Sequence, residues 1–250
     1  MAWASPYPRL WVPSTTLDHR TMDERATGDR RVGLGRKAGR VHTTTGVFVC
    51  FEGGEGAGKS TQARSLAADL ERRGYRTLLT FEPGDTPVGK EMRRIVLDPA
   101  TGELSHRTEV LLYAADKAEH VDTVVIPALA RGEVVITDRY VDSMLAYQGA
   151  GRALALAEVD RVARWATRDL RPHLTVVLDL APEHGLGRFH ERDRIEGESL
   201  DFFVRAREAF LALATADPDH YLVVDAVRPA DEIAAVVLTR VEPLLSQAVR

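Results

Sequence analysis

Five short apolar segments alternate along the chain with longer segments in which apolar residues recur every three or four positions. The short segments are rich in β-branched and aromatic residues, as buried strands are, and cover residues 47–51, 77–81, 134–137, 174–180 and 221–224. The longer segments predict helices over residues 60–73, 88–97, 107–131, 153–168, 200–214 and 231–246. This alternation predicts an α/β fold with three layers, in which helices cover both faces of a five-stranded parallel sheet.

The first 45 residues lack such a period. Three prolines interrupt the start, at Pro6, Pro8 and Pro13, and glycines punctuate the arginine-rich stretch that follows. We therefore expect a disordered basic N-terminal extension over residues 1–45 and one folded domain over residues 46–250. A nucleic-acid-binding arm, a targeting peptide and a natural start further downstream remain open as alternative interpretations of this extension.

Composition narrows the class of protein. Of the 250 residues, 44% are hydrophobic and 28% are charged, which is ordinary for a globular protein. Cys50 is the only cysteine, so an internal disulfide framework and a cysteine-rich zinc site are excluded and a reducing compartment is favoured. No apolar run reaches the roughly 18 residues of a membrane span. These features predict an enzyme or a binding module.

The net charge of -4 is the sum of two unlike parts. Residues 1–45 hold eight basic and four acidic residues, a net charge of +4, so the rest of the chain has a net charge of -8. An acidic body is a poor general platform for nucleic acid, because binding DNA requires neutralisation of its phosphates. The charge distribution therefore favours a small-molecule site with a few focused cations.

The segment Gly53 to Ser60 reads Gly-Gly-Glu-Gly-Ala-Gly-Lys-Ser. It matches the phosphate-binding pattern G-x-x-x-x-G-K-[S/T], and it lies between a predicted strand and a predicted helix, where that pattern works. Its glycines let backbone N–H groups surround phosphate oxygens, and the start of the helix directs its positive dipole at the anion. We expect Lys59 to reach the β- and γ-phosphates of a bound nucleotide and the Ser60 hydroxyl to bind Mg²⁺. The predicted ATP phosphate-binding residues are Gly53, Gly54, Glu55, Gly56, Ala57, Gly58, Lys59, Ser60 and Thr61.

Four further segments accompany the phosphate loop. They are Glu82-Pro83-Gly84-Asp85-Thr86 with Arg93, Leu112 to Lys117, Asp138-Arg139-Tyr140 continuing to Arg152, and the charged stretch from Arg188 to Glu196. In order and spacing, residues 46–250 resemble bacterial thymidylate kinases, P-loop enzymes that convert dTMP and ATP to dTDP and ADP. The resemblance implies direct in-line phosphoryl transfer, with no covalent intermediate.

The resemblance also implies roles for individual residues. Arg93 and Arg139 match arginines that bind the acceptor phosphate, Tyr113 matches an aromatic residue that stacks on thymine, and Tyr147 matches a tyrosine that crowds the sugar 2′ position. Lys117 stands where the family usually has an arginine that contacts the base. The full set expected to bind dTMP is Glu55, Glu82, Pro83, Arg93, Tyr113, Lys117, Arg139, Ser143, Tyr147 and Gln148.

Arginines for catalysis are expected in a lid over about residues 187–197. Some family members place an arginine directly after the acidic residue of the phosphate loop, but Gly56 occupies that position here, and the arginines lie in the lid instead. The predicted catalytic residues are Lys59, Arg139, Arg188, Arg192 and Arg194. Mobile guanidinium groups that close over the transferred phosphoryl group stabilise its developing charge. Ser60 and Asp138 are the predicted Mg²⁺ ligands, because Mg²⁺ prefers oxygen donors.

Three positions depart from the family pattern. Phe81 stands where an arginine is common, Asp85 replaces a usual glycine, and Lys117 replaces a two-pronged guanidinium by a point charge. A kinase for another nucleoside monophosphate or deoxynucleoside therefore stays open as an alternative. A P-loop switch or ATP-dependent partner-binding protein, with a nucleic-acid-binding tail, is a second one. The resemblance further implies a homodimer. From composition and charge we expect a cytoplasmic protein with no nucleic-acid or membrane partner.

Overall fold

The computed structural model describes residues 45–187 and 193–248, and nothing is said of the side chain of Gln247. The predicted extension, residues 1–45, therefore lies almost wholly outside the described residues, as do lid residues 188–192. In the described residues, no helix is long and apolar enough to cross a membrane.

Five parallel strands form the sheet, as the alternation of segments predicts. They are β1 (Val47–Gly53), β2 (Thr77–Phe81), β3 (Val134–Asp138), β4 (Leu174–Asp179) and β5 (Tyr221–Asp225). Their order across the sheet is β2-β3-β1-β4-β5. The chain therefore extends from β1 in both directions, through β3 on one side and β4 on the other, and this switch point is where open α/β sheets bind ligands.

Nine helices cover the sheet in the described residues. They are α1 (Lys59–Arg72), α2 (Pro87–Leu97), α3 (His106–His120), α4 (Ile126–Ala130), α5 (Val141–Met144), α6 (Leu156–Ala166), α7 (Pro182–Leu186), α8 (Leu200–Ala216) and α9 (Ala230–Val241). Short 3₁₀ turns follow α2 at Pro99–Thr101 and α9 at Glu242–Gln247. One π-helical turn, Val121–Val125, joins α3 to α4, and another, Leu145–Gly151, continues α5.

Alternate side chains of β1 are buried on opposite faces of the sheet. Val47, Val49 and Phe51 pack with α1 and α9, whereas Phe48 and Cys50 pack with the layer that contains α4. All seven residues of β1 are buried. Burial on both faces explains why the sequence of this central strand is a continuous apolar run. The phosphate loop follows directly from its carboxyl end.

Several predicted boundaries were wrong, and backbone geometry explains them. The predicted helix over residues 153–168 begins only at Leu156 and ends at Ala166, because Ala153 and Arg168 have positive φ angles of 54° and 52°, outside the helical region. The helix predicted over residues 107–131 is divided by the π-helical turn after His120. The segment Val141–Gly151 was not predicted as helical, because it is buried on nearly all sides and shows no amphipathic period.

Candidate active site

The phosphate loop leaves the carboxyl end of β1 and runs directly into α1. Gly56 and Gly58 have φ angles of 66° and 92°, which residues with a Cβ rarely adopt. The Lys59 ammonium group folds back onto the loop, and its Nζ donates a hydrogen bond of 2.7 Å to the carbonyl of Gly54. Burial, and next the nearby charge of Arg139, lower the pKa of Lys59 to about 8. The carboxylates of Glu55 and Asp138 act on this pKa in the opposite direction, but they do not outweigh burial.

Ser60 and Asp138 meet at the mouth of the loop. The Ser60 hydroxyl donates a short hydrogen bond to the Asp138 carboxylate, which joins the first turn of α1 to the end of β3. Two oxygen donors at the edge of a phosphate site fit Mg²⁺, which usually keeps several waters and takes further ligands from the nucleotide. In the described residues no cluster of three or more His, Cys, Asp or Glu side chains could hold a metal, so a dedicated all-protein cage is absent there.

Arg139 connects the phosphate loop to a neighbouring pocket. Its NH2 group lies 2.6 Å from Oε1 of Glu55, and its NH1 group lies 3.1 Å from the Ser143 hydroxyl and 3.4 Å from the Tyr147 hydroxyl. Burial alone would raise the pKa of Glu55, but the charges of Arg139 and Lys59, together with hydrogen bonds from Arg139 and Tyr147, hold the pKa below its usual range. Glu55 therefore stays ionised and fixes the guanidinium.

The pocket beside Arg139 has a volume of about 140 Å³. All ten residues predicted to bind the acceptor nucleotide line it: Glu55, Glu82, Pro83, Arg93, Tyr113, Lys117, Arg139, Ser143, Tyr147 and Gln148. They come from the phosphate loop, the loop after β2, α2, α3 and the segment after β3, because the carboxyl ends of parallel strands meet at one edge of the sheet.

Five residues that line the pocket were not predicted to bind: Leu97, Met144, Asp193, Ile195 and Glu196. Leu97 and Met144 are ordinary apolar residues of α2 and α5, so the sequence carries no sign of their position. Asp193 and Glu196 belong to the charged lid stretch, where acidic residues read equally well as partners of the neighbouring arginines. The structure places this part of the lid at the pocket.

A buried ion pair lies at the base of the pocket. Lys117 Nζ is 2.5 Å from Oε2 of Glu82, and His120 Nδ1 is 2.7 Å from Oε1 of the same carboxylate. On its other side, His120 Nε2 lies 2.6 Å from the Thr80 hydroxyl, which donates to Asp85 at 2.5 Å. Lys117 is only 2% exposed, so its charge is balanced by Glu82 before any ligand arrives. Asp85, one of the positions that depart from the family pattern, belongs to the same network.

Arg93 is held by the loop after β2. Its NH1 group donates to the carbonyl of Pro83 at 2.8 Å, and its guanidinium carbon lies 5.8 Å from the centre of the Phe81 ring. A guanidinium within about 6 Å of an aromatic centroid makes a cation–π contact. Phe81, a second departure from the family pattern, thus contacts an arginine of the pocket without lining the pocket itself.

Among the three lid arginines, Arg188 and Arg192 lie outside the described residues. Arg194 is described, and its side chain bonds to α2 and α3: Nε donates to the carbonyl of Val96 at 2.8 Å, and NH2 lies 2.5 Å from Oε2 of Glu109. Glu109 is fully buried and also accepts from Gln148 and Arg152. This arrangement anchors the end of the lid to the wall of the pocket, so a phosphate-binding role for Arg194 stays a prediction.

Gly56 of the phosphate loop lies against Gly185 of α7. A Cβ added to Gly56 would lie 2.8 Å from the Gly185 carbonyl oxygen, and one added to Gly185 would lie 2.1 Å from the Glu55 carbonyl oxygen. Real Cβ atoms essentially never make such contacts. The close approach of α7 explains why a small residue, rather than an arginine, follows Glu55.

A second cavity, of about 340 Å³, borders Glu52, Asp142 and Cys50 and extends past His173 to Tyr221. It contains none of the predicted site residues. The residues predicted to bind the acceptor nucleotide line the smaller pocket instead.

Comparison with known proteins agrees with this geometry. The family model described as thymidylate kinase matches residues 51–237. The chain is similar to a thymidylate kinase of Cutibacterium acnes, with 52% identity over 81% of this chain and 99% of the relative. It is also similar to a thymidylate kinase of Clavibacter michiganensis, with 51% identity over 81% of this chain and 97% of that relative. Among solved structures it is similar to a thymidylate kinase from Ehrlichia chaffeensis, with a TM-score of 0.67 and 26% identity over 78% of this chain and 98% of that one.

The contact between α7 and the phosphate loop can be tested by adding one methyl group. We expect Gly185→Ala to push the loop away from α7, to lower the stability by about 1–3 kcal/mol, as overpacking does, and to weaken ATP binding severalfold. Thermal unfolding and titration with a fluorescent ATP analogue measure the two effects.

Gly187→Ala is the matched control, because the nearest atom to its added Cβ, the Glu183 carbonyl oxygen, is 3.4 Å away. It should leave both quantities near the wild-type values. If Gly185→Ala bound ATP as tightly as Gly187→Ala, the close contact would have no bearing on the loop.

Proposed function

Because the chain belongs to the thymidylate kinase family, we propose that the ten residues lining the 140 Å³ pocket bind dTMP while the phosphate loop holds ATP. The enzyme transfers the γ-phosphoryl group of ATP to dTMP and so forms ADP and dTDP. One observation carries the assignment of the pocket. The Arg139–Glu55 ion pair, at 2.6 Å, places the pocket directly beside the phosphate loop, so the two nucleotides can meet there.

The acceptor phosphate is bound by Arg139 and Arg93 in this proposal. Both arginines line the pocket, and a guanidinium matches the geometry of phosphate oxygens. Arg93 is held by the Pro83 carbonyl, which carries no net charge, so its positive charge is available to an incoming phosphate. Arg139 keeps one hydrogen bond to Glu55, which orients the guanidinium toward the acceptor.

The nucleoside part of dTMP is assigned to the rest of the pocket. Tyr113 offers a flat face to thymine, and Lys117 and Gln148 offer donors for the base. Tyr147 lies near the sugar, where its bulk favours a deoxyribose, and its hydroxyl is 3.4 Å from Arg139. Glu82 and Pro83 shape the floor, since Glu82 fixes Lys117.

Transfer is proposed to proceed in line, with the acceptor phosphate oxygen attacking the γ-phosphorus as the bond to ADP breaks. Lys59 neutralises charge on the β- and γ-phosphates, and Arg139 holds the attacking phosphate in place. Arg188 and Arg192, with Arg194, are proposed to close over the γ-phosphate from the lid. Ser60 and Asp138 would hold Mg²⁺, which supplies further neutralisation of the phosphate oxygens.

A homodimer is proposed through α2, α3 and α6, which pack side by side. These helices expose large apolar side chains: Val88 is 48% exposed, Leu111 60% and Trp165 84%. Burying such residues against a second copy would remove their apolar surface from water. The cytoplasmic location and the role of residues 1–45 as a dispensable extension stay predictions.

The choice of acceptor is tested by measuring ADP release with dTMP, dUMP, dCMP, dGMP and AMP, on the full chain and on residues 46–250. We expect dTMP to have the highest kcat/KM with both proteins, because the pocket lies wholly within the domain. A better substrate among the other four would contradict the proposed pocket assignment. Loss of activity on removing residues 1–45 would contradict the proposed domain boundary instead.

Replacing the phosphate-loop lysine tests the donor site. Lys59→Ala should lower kcat about 10²–10³-fold or more, because it removes a preorganised cation from the transferred phosphoryl group. Lys90→Ala, at an exposed position of α2, is the control and should keep kcat within about twofold. Thermal unfolding should show both variants folded. Wild-type turnover in Lys59→Ala would exclude this lysine from the reaction.

The dimer is tested by light scattering after gel filtration. We expect twice the chain mass for the wild type and one chain mass for Leu111→Glu, since a charge buried at an interface is costly. Val227→Glu is the control, because Val227 is 68% exposed but lies after β5, away from α3. A monomeric wild type, or a dimeric Leu111→Glu, would contradict this interface.

A further inference from the structure

Glu52 is a fully buried carboxylate that none of the roles above uses. It lies near the end of β1, one residue before Gly53 of the phosphate loop, and its carboxylate accepts hydrogen bonds from the segment that follows β3. Burying a carboxylate is costly unless hydrogen bonds compensate it. The partners of Glu52 therefore indicate what the residue does.

The Glu52 carboxylate caps the helix that begins with α5. Its Oε1 accepts hydrogen bonds from the backbone N–H groups of Tyr140, at 2.9 Å, and Ser143, at 3.0 Å, and its Oε2 accepts from the Ser143 hydroxyl at 2.6 Å. Tyr140 is the N-cap residue of α5 and provides no side-chain cap of its own. The first N–H groups of a helix need such acceptors, and here a neighbouring strand supplies one.

Ser143 connects Glu52 to Arg139, which lines the acceptor pocket. While its hydroxyl donates to Glu52, its oxygen accepts a hydrogen bond of 3.1 Å from NH1 of Arg139. Arg139 has a φ angle of 71°, a conformation that costs a non-glycine residue energy and persists only where the surroundings hold it. The same helix continues to Tyr147 and Gln148, which also line the pocket.

The charges around Glu52 come from several elements. The titratable groups that act on it electrostatically, or on which it acts, are Cys50, Lys59, Lys117, Arg139, Asp142 and Tyr147. Burial, and next the neighbouring charge of Asp142, raise the pKa of Glu52 to about 7, although the Ser143 hydrogen bonds and Arg139 oppose the rise. Ionisation of this carboxylate in the folded protein therefore costs stability.

We propose that Glu52 is a positioning residue for the acceptor nucleotide, because its carboxylate fixes Ser143 and the start of α5 and thereby holds the Arg139 guanidinium in the dTMP pocket. This inference rests on the proposed function of that pocket. It assigns Glu52 no contact with either nucleotide.

Glu52→Gln tests the proposal with little change of shape. The amide keeps one oxygen for the two backbone N–H groups, but its NH₂ group cannot accept from the Ser143 hydroxyl. We expect KM for dTMP to rise about tenfold, with KM for ATP within twofold of wild type and a smaller change in kcat. The control is Glu133→Gln, directly before β3. It removes a carboxylate that pairs with Arg76 and Arg131, and it should change neither KM.

Stability separates positioning from a merely structural role. A folded-state pKa above the unfolded one means that protonation of Glu52 stabilises the protein below about pH 4.5, and that this contribution is lost as the pH rises through about 7. Glu52→Gln should therefore unfold at the same or a higher temperature than wild type at pH 8, while it binds dTMP more weakly. A lower unfolding temperature together with equal losses for both nucleotides would overturn the proposal.

The pH profile gives an independent readout. Protonating Glu52 removes an acceptor from Ser143, so KM of the wild type for dTMP should rise as the pH falls below about 7. The substrate phosphate also titrates, near pH 6, but this affects both proteins equally. It therefore cancels when KM for dTMP of Glu52→Gln is divided by that of the wild type. This KM ratio should fall toward one at low pH. A ratio independent of pH would contradict the proposal.

A double-mutant cycle with Ser143→Ala tests the path to Arg139. If Glu52 acts through the Ser143 hydroxyl, the rise in KM for dTMP of the double variant should be smaller than the product of the two single-variant rises. A rise equal to that product would exclude this path. The proposed function and this inference fail in different ways. A wild type without activity on dTMP would sink the former, whereas an active wild type with an unaltered Glu52→Gln would sink only the latter.

Discussion

The ion pair between Arg139 and Glu55 is the interaction on which the active site depends. Glu55 belongs to the phosphate loop after β1, and Arg139 follows β3, the neighbouring strand. Their side chains are 17% and 16% exposed, so the attraction acts largely out of water, where it is stronger than on the surface. The pair joins the phosphate loop to the neighbouring pocket and orients a guanidinium whose backbone is itself strained.

Cations of the site have partners before any nucleotide binds, and the partners are of two kinds. Lys117, Arg139 and Arg194 are paired with the carboxylates of Glu82, Glu55 and Glu109. Lys59 and Arg93 are held by backbone carbonyls, which carry no net charge. The carboxylate partners fix the orientation of their cations, whereas the carbonyl partners balance less of the positive charge of Lys59 and Arg93.

Much of the fold was predictable because its signals are local. Each of the five strands was recognised within one or two residues of its end, since buried parallel strands are short apolar runs. The phosphate loop was recognised because a fixed spacing of glycines and a lysine serves one purpose. The helix from Val141 to Gly151 was missed, although it carries Ser143, Tyr147 and Gln148, because burial on nearly all sides leaves no period to detect.

The sequence by itself determined the fold class and the phosphate loop, and family resemblance predicted ten residues for the acceptor nucleotide, all of which line one pocket. Tertiary structure decided how those residues are supported. The link from Glu52 to Ser143 spans 91 positions along the chain, and the link from Arg194 to Glu109 spans 85. The approach of Gly185 to Glu55 joins α7 to the phosphate loop. Such contacts depend on strand order and on the distance between backbones, which no local pattern of residues records.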